Sequence, residues 1–191
     1  MPIVTIMTSD LETENRALRA RVSALESELS FLRMHTAVLQ GMKGETLVAD
    51  LTGGELTDFA AEHDIVVGGS VTVEVKFSKL NTPVARAATR RWNWSKPLGW
   101  KDKGKSFDFL VLVGEKDMRY PNQYLDDAPY VFFLIPKARV GEILTQGSTI
   151  GANVQITTHL ARARSPASLA LKSFHVPAAT VTALLGRARA T

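Results

Sequence analysis

The chain contains no cysteine. Disulfide bonds and thiolate metal sites are therefore excluded, and the absence agrees with a cytoplasmic setting. Histidine is scarce as well. His35, His63, His159 and His175 are the only four, and none pair at a ligand spacing such as His-x3-His. No apolar run approaches the ~20 residues of a membrane-spanning helix. The first seven residues are too short, and lack the basic start, of a signal peptide. The expectation is a cytoplasmic protein with no membrane partner. There is no glycine loop of the P-loop or dinucleotide type and no internal repeat, so nucleotide-driven chemistry has no support. Acidic residues thin out along the chain. Residues 1–75 hold 12 Asp/Glu and 5 Lys/Arg, and residues 76–191 hold 7 Asp/Glu and 18 Lys/Arg. An acidic half followed by a basic half suits a polyanionic ligand.

The 191 residues allow one ordinary domain plus an appendage. A hydrophobic share of 45% with 22% charged residues is that of a globular chain. The appendage is legible first. Leucines recur at 11, 18, 25, 32 and 39, every seventh residue. With these at d, Asn15, Val22, Leu29 and Thr36 fall at a, the seam of a coiled coil. In a parallel pair the g-to-e contacts are Glu14–Arg19, Arg21–Glu26 and Glu28–Arg33, all opposite in sign. An Asn at a commonly fixes two strands in register. A parallel homodimer is expected over residues 1–40, with a tetramer built from two dimers open, and a lone amphipathic helix is the competing reading. Ser9-Asp-Leu-Glu12 reads as a capping box at its start. Gly41 and Gly44 read as the joint to a second domain, residues 41–191.

The second domain turns on Asp64-Ile-Val-Val-Gly-Gly-Ser-Val-Thr-Val-Glu74-Val-Lys76-Phe-Ser78. Val71, Val73, Val75 and Phe77 alternate with Thr72, Glu74, Lys76 and Ser78, as on a strand with two distinct faces. Ile65 and Val67 must join the valine face. A Gly68–Ser70 loop of three residues achieves this by setting Val67 opposite Val71 and Ile65 opposite Val73. Asp64 then stands opposite Glu74, with Lys76 next along. Two carboxylates so close repel unless a proton or a cation intervenes. All-oxygen ligands suit Mg²⁺ or Mn²⁺. An adjacent lysine can orient a water or stabilise an oxyanion. Together these parts can hydrolyse a phosphodiester with metal assistance. An amphipathic hairpin with a wet face would show the same residue types without a site.

Upstream, Gly41 to Gly54 reads as a short helix carrying Glu45, with Leu47, Val48 and Leu51 apolar and Gly53-Gly54 at its end. The helix, the strand opening with Asp64 and the Glu74-Val-Lys76 motif at Asp-x9-Glu-x-Lys spacing resemble the PD-(D/E)xK nuclease superfamily, which includes restriction enzymes and archaeal Holliday-junction resolvases. The resemblance spans about residues 41–114. It implies an α/β fold with an αβββαβ core and mixed sheet. It also implies Asp64 and Glu74 as metal ligands, Glu45 as a supporting ligand and Lys76 as the catalytic lysine. His63 stands where the proline of the superfamily's name would be, and Asp58 is a weaker rival to Asp64. The implied activity is a Mg²⁺-dependent (or Mn²⁺-dependent) DNA endonuclease acting as a homodimer. A non-catalytic dimeric DNA-binding or scaffold protein on the same fold is the alternative.

Beyond the motif, Thr82-Pro83 reads as the start of a helix reaching about Trp92. Arg86, Arg90, Lys96, Lys101, Lys103 and Lys105 then mark a basic stretch expected to meet DNA phosphates. All three tryptophans fall there. Trp92 is assigned to the core, whereas Trp94 and Trp100 are left open between core and DNA. Ser106–Gly114 and Tyr130–Ile135 read as central buried strands, with Asp108 in a structural role. Pro136–Leu144 reads as a short helix, Val154–Thr158 as a strand and Pro177–Leu185 as a terminal helix.

Overall fold

The computed structural model describes residues 3–34, 36–58, 60–82, 89–148 and 151–186. The chain divides into two units, Met1–Leu39 and Gln40–Thr191. In the first, helix α1 spans Ile3–Met34. It extends past Ser9 on both sides, so the expected cap at Ser9 is not a helix start. Its heptad residues Leu18, Val22, Leu25 and Leu29 stay 46–56% exposed on the single chain.

Helix α2, Thr36–Thr52, crosses the boundary between the units. Gly41 and Gly44 lie inside it, which corrects the reading of these glycines as a break. Gly44 serves a different purpose. A Cβ there would sit 2.9 Å from Phe77 Cβ and 3.4 Å from Val75 Cγ1. The missing side chain lets α2 lie directly on the strand below it. Gly53, at φ 62°, ends the helix in the left-handed conformation that glycine tolerates.

The second unit is α/β. Its main sheet contains β1 (Glu55–Leu56), β2 (Ile65–Val67), β3 (Val71–Ser78), β7 (Phe109–Glu115), β8 (Tyr130–Pro136) and β11 (His175–Val176), in the order β1-β2-β3-β7-β8-β11. The sheet is mixed: β3 and β7 are parallel and every other pair is antiparallel. The hairpin has the register expected from its pattern, with Ile65 opposite Val73 and Val67 opposite Val71. A second sheet orders β4 (Arg91–Ser95), β10 (Gly151–Thr157) and β9 (Thr145–Ser148). A hairpin of β5 (Gly99–Trp100) and β6 (Lys103–Gly104) turns at Lys101 and Asp102, both at positive φ.

The apolar runs of β7 and β8 are buried on both faces, as expected of central strands. Leu110, Leu112, Phe133 and Ile135 join one core cluster with Trp92, Trp94, Val154 and Ile156 of the second sheet. Val111, Val113, Phe132 and Leu134 join the other with Val48 of α2 and Val73 and Val75 of β3. Trp92 and Trp94 are fully buried, and their Nε1 groups donate to Glu115 O (2.8 Å) and Val113 O (2.9 Å). This corrects the expected helix to Trp92, since Arg91–Ser95 is a strand. Its first part, residues 83–88, lies outside the described residues. The expected helix after Pro136 is a 3-10 segment, Lys137–Ile143. Helices α3, Pro166–Ser173, and α4, Ala178–Gly186, complete the described chain.

Candidate active site

Asp64, Glu74, Lys76 and Lys105 meet beside the β2–β3 hairpin. Asp64 is held by its backbone before its side chain does anything. Its N–H donates to Val73 O (2.9 Å), and its carbonyl accepts from Thr57 N (3.0 Å). Its carboxylate is then aimed across the hairpin: Oδ2 accepts from Val75 N at 2.8 Å. That leaves Oδ1 facing Glu74's side of β3.

Glu74 departs from the expected wet face. Its side chain has no exposed surface. Oε1 accepts a short hydrogen bond from Lys76 Nζ. Lys76 Nζ also donates to Val75 O at 3.1 Å and stands 3.8 Å from Asp64 Oδ2. Glu74 Oε2 lies 2.8 Å from Lys105 Nζ, close enough for an ion pair, yet it receives no hydrogen bond of good geometry. Lys105 Nζ donates to Asp64 Oδ1 as well, at 3.2 Å. One ammonium therefore bridges the two carboxylates.

Electrostatics follow from this enclosure. Burial raises the Glu74 carboxyl above the usual carboxylate range, with Lys76 opposing and Asp64 adding to the rise. Glu45, on α2, is raised by burial first and by the Asp64 carboxylate second. It also responds to Lys76, Glu74 and Lys105. Glu45 thus belongs to the same electrostatic cluster. For Lys105, burial alone would lower the ammonium, but Glu74 and Asp64 outweigh it and the net direction is upward.

Lys105 is the residue whose role the sequence hid. It reads as one of a run of lysines on a loop, but the fold turns it inward. Ser106 N donates to Glu62 O (3.0 Å), and Lys137 Nζ donates to Lys105 O (3.2 Å), so the backbone is pinned on both sides. Its partner Asp64 is 41 positions away in sequence. Lys101 and Lys103 remain exposed at the tip of the same hairpin. Lys96 Nζ lies 5.4 Å from the ring centroid of Trp100, itself 58% exposed. Arg90 pairs with the buried Asp117 at 3.7 Å. Arg86 lies outside the described residues. Asp58 contributes no ion pair to the cluster, and Asp108 is structural: Oδ2 accepts from Thr72 N (2.8 Å) and Thr72 Oγ1 (3.0 Å), tying β7 to β3.

No family model matches the chain. No curated protein matches it in sequence. The site must be read from its own chemistry.

Among the described residues, no three His, Asp or Glu side chains form a ready cage for a metal ion. The donors nevertheless fit a hard cation. Two carboxylates face each other, a third is in electrostatic reach, and the buried Glu74 Oε2 lacks a directed hydrogen bond. All-oxygen donors of this kind select Mg²⁺ or Mn²⁺ over softer ions. The lysines that now neutralise the carboxylates are also the groups that could act on a bound phosphate.

Proposed function

We propose that the chain is a Mg²⁺- or Mn²⁺-dependent DNA endonuclease of the PD-(D/E)xK kind, working as a homodimer through α1. The observation that carries this reading is the fully buried Glu74 held against Asp64 beside Lys76. Desolvation opposes burying a carboxylate, and here the cost is offset by two ammonium groups that converge on the same pair of acids. In this reading Asp64 and Glu74 hold the ion and Glu45 supports it. A divalent ion there would supply a Lewis acid for the phosphate and a more acidic water. Lys76, hydrogen-bonded to Glu74, orients the attacking water and offsets charge on the pentacovalent phosphate. Lys105 can leave its bridging position to face the phosphate. The exposed Lys101 and Lys103, with Arg90, Lys96 and Arg86, supply backbone contacts.

The fold supports the reading at the same level. Helix α2, the antiparallel β1, β2 and β3 and the parallel β7 agree with part of an αβββαβ core, while the described residues between β3 and β7 hold β4, β5 and β6 and no helix. The exposed a/d stripe of α1 and its matched e/g charges support the parallel homodimer.

The test is cleavage of supercoiled, nicked, linear and four-way-junction DNA with Mg²⁺ or Mn²⁺. Wild type is expected to cut in a metal-dependent manner. Lys76→Ala should retain DNA binding and lose at least 100-fold in rate, within the roughly 10²–10⁴ of a general acid–base or electrostatic group. Normal cutting by Lys76→Ala would exclude the assignment. One observation favours the non-catalytic alternative: Lys76 and Lys105 together balance Asp64 and Glu74, so the knot can stand without an ion. That alternative predicts no rise in thermal midpoint with Mg²⁺ or Mn²⁺. The nuclease reading predicts a rise that Asp64→Asn abolishes.

A further inference from the structure

A second cluster of charge lies away from the carboxylates, over the start of β4 and the end of β10. Arg91 and Thr157 are register partners there, as are Asn93 and Gln155. They face away from Trp92 and Trp94, which fill the core. Above them the chain after β10 turns through Leu160–Arg162 and enters α3 behind Ser165. The result is a groove of about 280 Å³ whose lining includes Arg90, Arg91, Arg162, Arg164, Ser165 and Ser168. Among the described residues, no Asp or Glu lines it.

The arginines are partly positioned. Arg164 Nη1 donates to Ala161 O (2.8 Å) and Ala163 O (2.9 Å), which holds its guanidinium over the turn. Arg91 Nη1 donates to Gln155 Oε1 at 3.3 Å. Arg162 is exposed, and its guanidinium has no hydrogen bond or ion pair among the described residues. Of the four, among the described residues only Arg90 meets a carboxylate, Asp117, at 3.7 Å. Such a concentration of like charge repels itself unless an anion joins it. Guanidinium forks match the oxygens of a phosphate, and the hydroxyls of Ser165 and Ser168 add neutral partners. Among the described lining residues no carboxylate offers a cation a charged ligand. A drug-like ligand is disfavoured too, because the lining is polar and the volume falls below the usual ~300–1,000 Å³ of such pockets.

We propose that this groove is a phosphate-binding site that grips the sugar–phosphate backbone of the nucleic acid, as an anchor separate from the Asp64–Glu74 cluster. It rests on the proposed nucleic-acid substrate but not on cleavage. The scaffold links the two places: β3 carries Glu74 and Lys76 and ends at Ser78, whose Oγ accepts from Asn93 N (2.9 Å), while Asn81 bridges Arg91. A backbone contact of this kind carries no sequence information. It fixes register and orientation while the carboxylate cluster faces the bond to be cut.

The experiment measures affinity of the full chain for labelled duplex DNA against salt, in EDTA so that no cleavage intervenes. Each phosphate contact contributes roughly 0.9 to the slope of log K against log salt. Arg162→Gln should flatten the slope by about one, and Arg162→Gln with Arg164→Gln by about two. If the double variant fails to fold, Arg162→Gln alone carries the test, because its guanidinium has no partner in the described fold. Unchanged slopes in folded variants, or no DNA binding by wild type, would overturn the proposal. A parallel arm follows the thermal midpoint with inorganic phosphate. A phosphate-induced rise lost in Arg162→Gln, with the DNA slope unchanged, would mark a free-phosphate site and also overturn the backbone assignment. Wild type that binds DNA with the predicted slopes but never cuts would remove the nuclease reading and leave this anchor standing.

Discussion

At the scale of single residues, Glu74 is a fully buried carboxylate. Burial favours its protonated form, and two ammonium groups counter that. Removing one partner of a buried pair costs about 3–5 kcal/mol when the other is left alone. Here Lys76 remains and Lys105 is one-fifth exposed, so Lys105→Ala should cost less, about 1–3 kcal/mol. In the Glu74→Gln background the same change should cost markedly less, because no buried charge is left behind. Urea unfolding of the four proteins checks this, and strict additivity would show that the two side chains are not coupled. His175 gives a pH prediction. Burial lowers its imidazole below 6.5. The folded chain therefore binds that proton less readily than the unfolded chain, so its contribution is intact above about pH 6.5. Stability should fall as the pH drops through that value, levelling off once the folded-state pKa is passed. His175→Gln should flatten the thermal midpoint between pH 7.5 and 5.5. An unchanged slope would assign the dependence elsewhere. Legibility at this scale depends on sequence distance. Asp64, Glu74 and Lys76 could be placed because a hairpin's register is decided by its own alternation. Lys105 could not, because its inward turn depends on backbone contacts with Glu62 and Lys137 that no local pattern announces.

At the scale of elements, glycine makes the same contrast. Gly41 and Gly44 look alike in sequence, three apart among helix formers. In α2 they differ. Among the described residues a Cβ at Gly41 meets only Glu45 Oε1, at an ordinary 3.5 Å, whereas one at Gly44 is driven against the strand below. Gly41→Ala should stabilise the chain by roughly 0.5–1 kcal/mol, the usual gain in a helix interior. Gly44→Ala should destabilise it by about 1–3 kcal/mol despite the same helical gain, because Phe77 and Val75 are fixed in the sheet. Equal effects at the two positions, read by chemical denaturation, would mean that α2 does not lie so close to β3. The apolar runs of β7 and β8 were readable because burial on both faces leaves a continuous hydrophobic signature. Strand β4 was not. Arg91-Trp-Asn-Trp-Ser alternates cleanly, but Thr82-Pro83 and the arginines before it look like a helix start. Pairing with β10 decides the matter, and β10 lies some sixty residues away.

At the scale of the whole molecule, the described residues of each chain hold one such carboxylate cluster, and a duplex has two strands. In the proposed nuclease, cutting both strands in one encounter would therefore need two chains. In the proposed homodimer the seam of α1, exposed along Leu18, Val22, Leu25 and Leu29 in the single chain, would supply the second. Placing a carboxylate at two d positions, Leu18→Glu with Leu25→Glu, introduces charge into the seam without touching Asp64, Glu74 or Lys76. The variant should sediment as a monomer with an unaltered second unit by circular dichroism. On supercoiled plasmid with Mg²⁺, wild type should pass to the linear form with little nicked circle. The monomeric variant should accumulate nicked circle first and linearise slowly, as independent encounters find the second strand. The split between nicking and linearisation separates dimer-dependent chemistry from simple loss of activity. A monomer that linearises as directly as wild type would remove the need for paired active sites, and a wild type already monomeric would remove the coiled coil as their organiser.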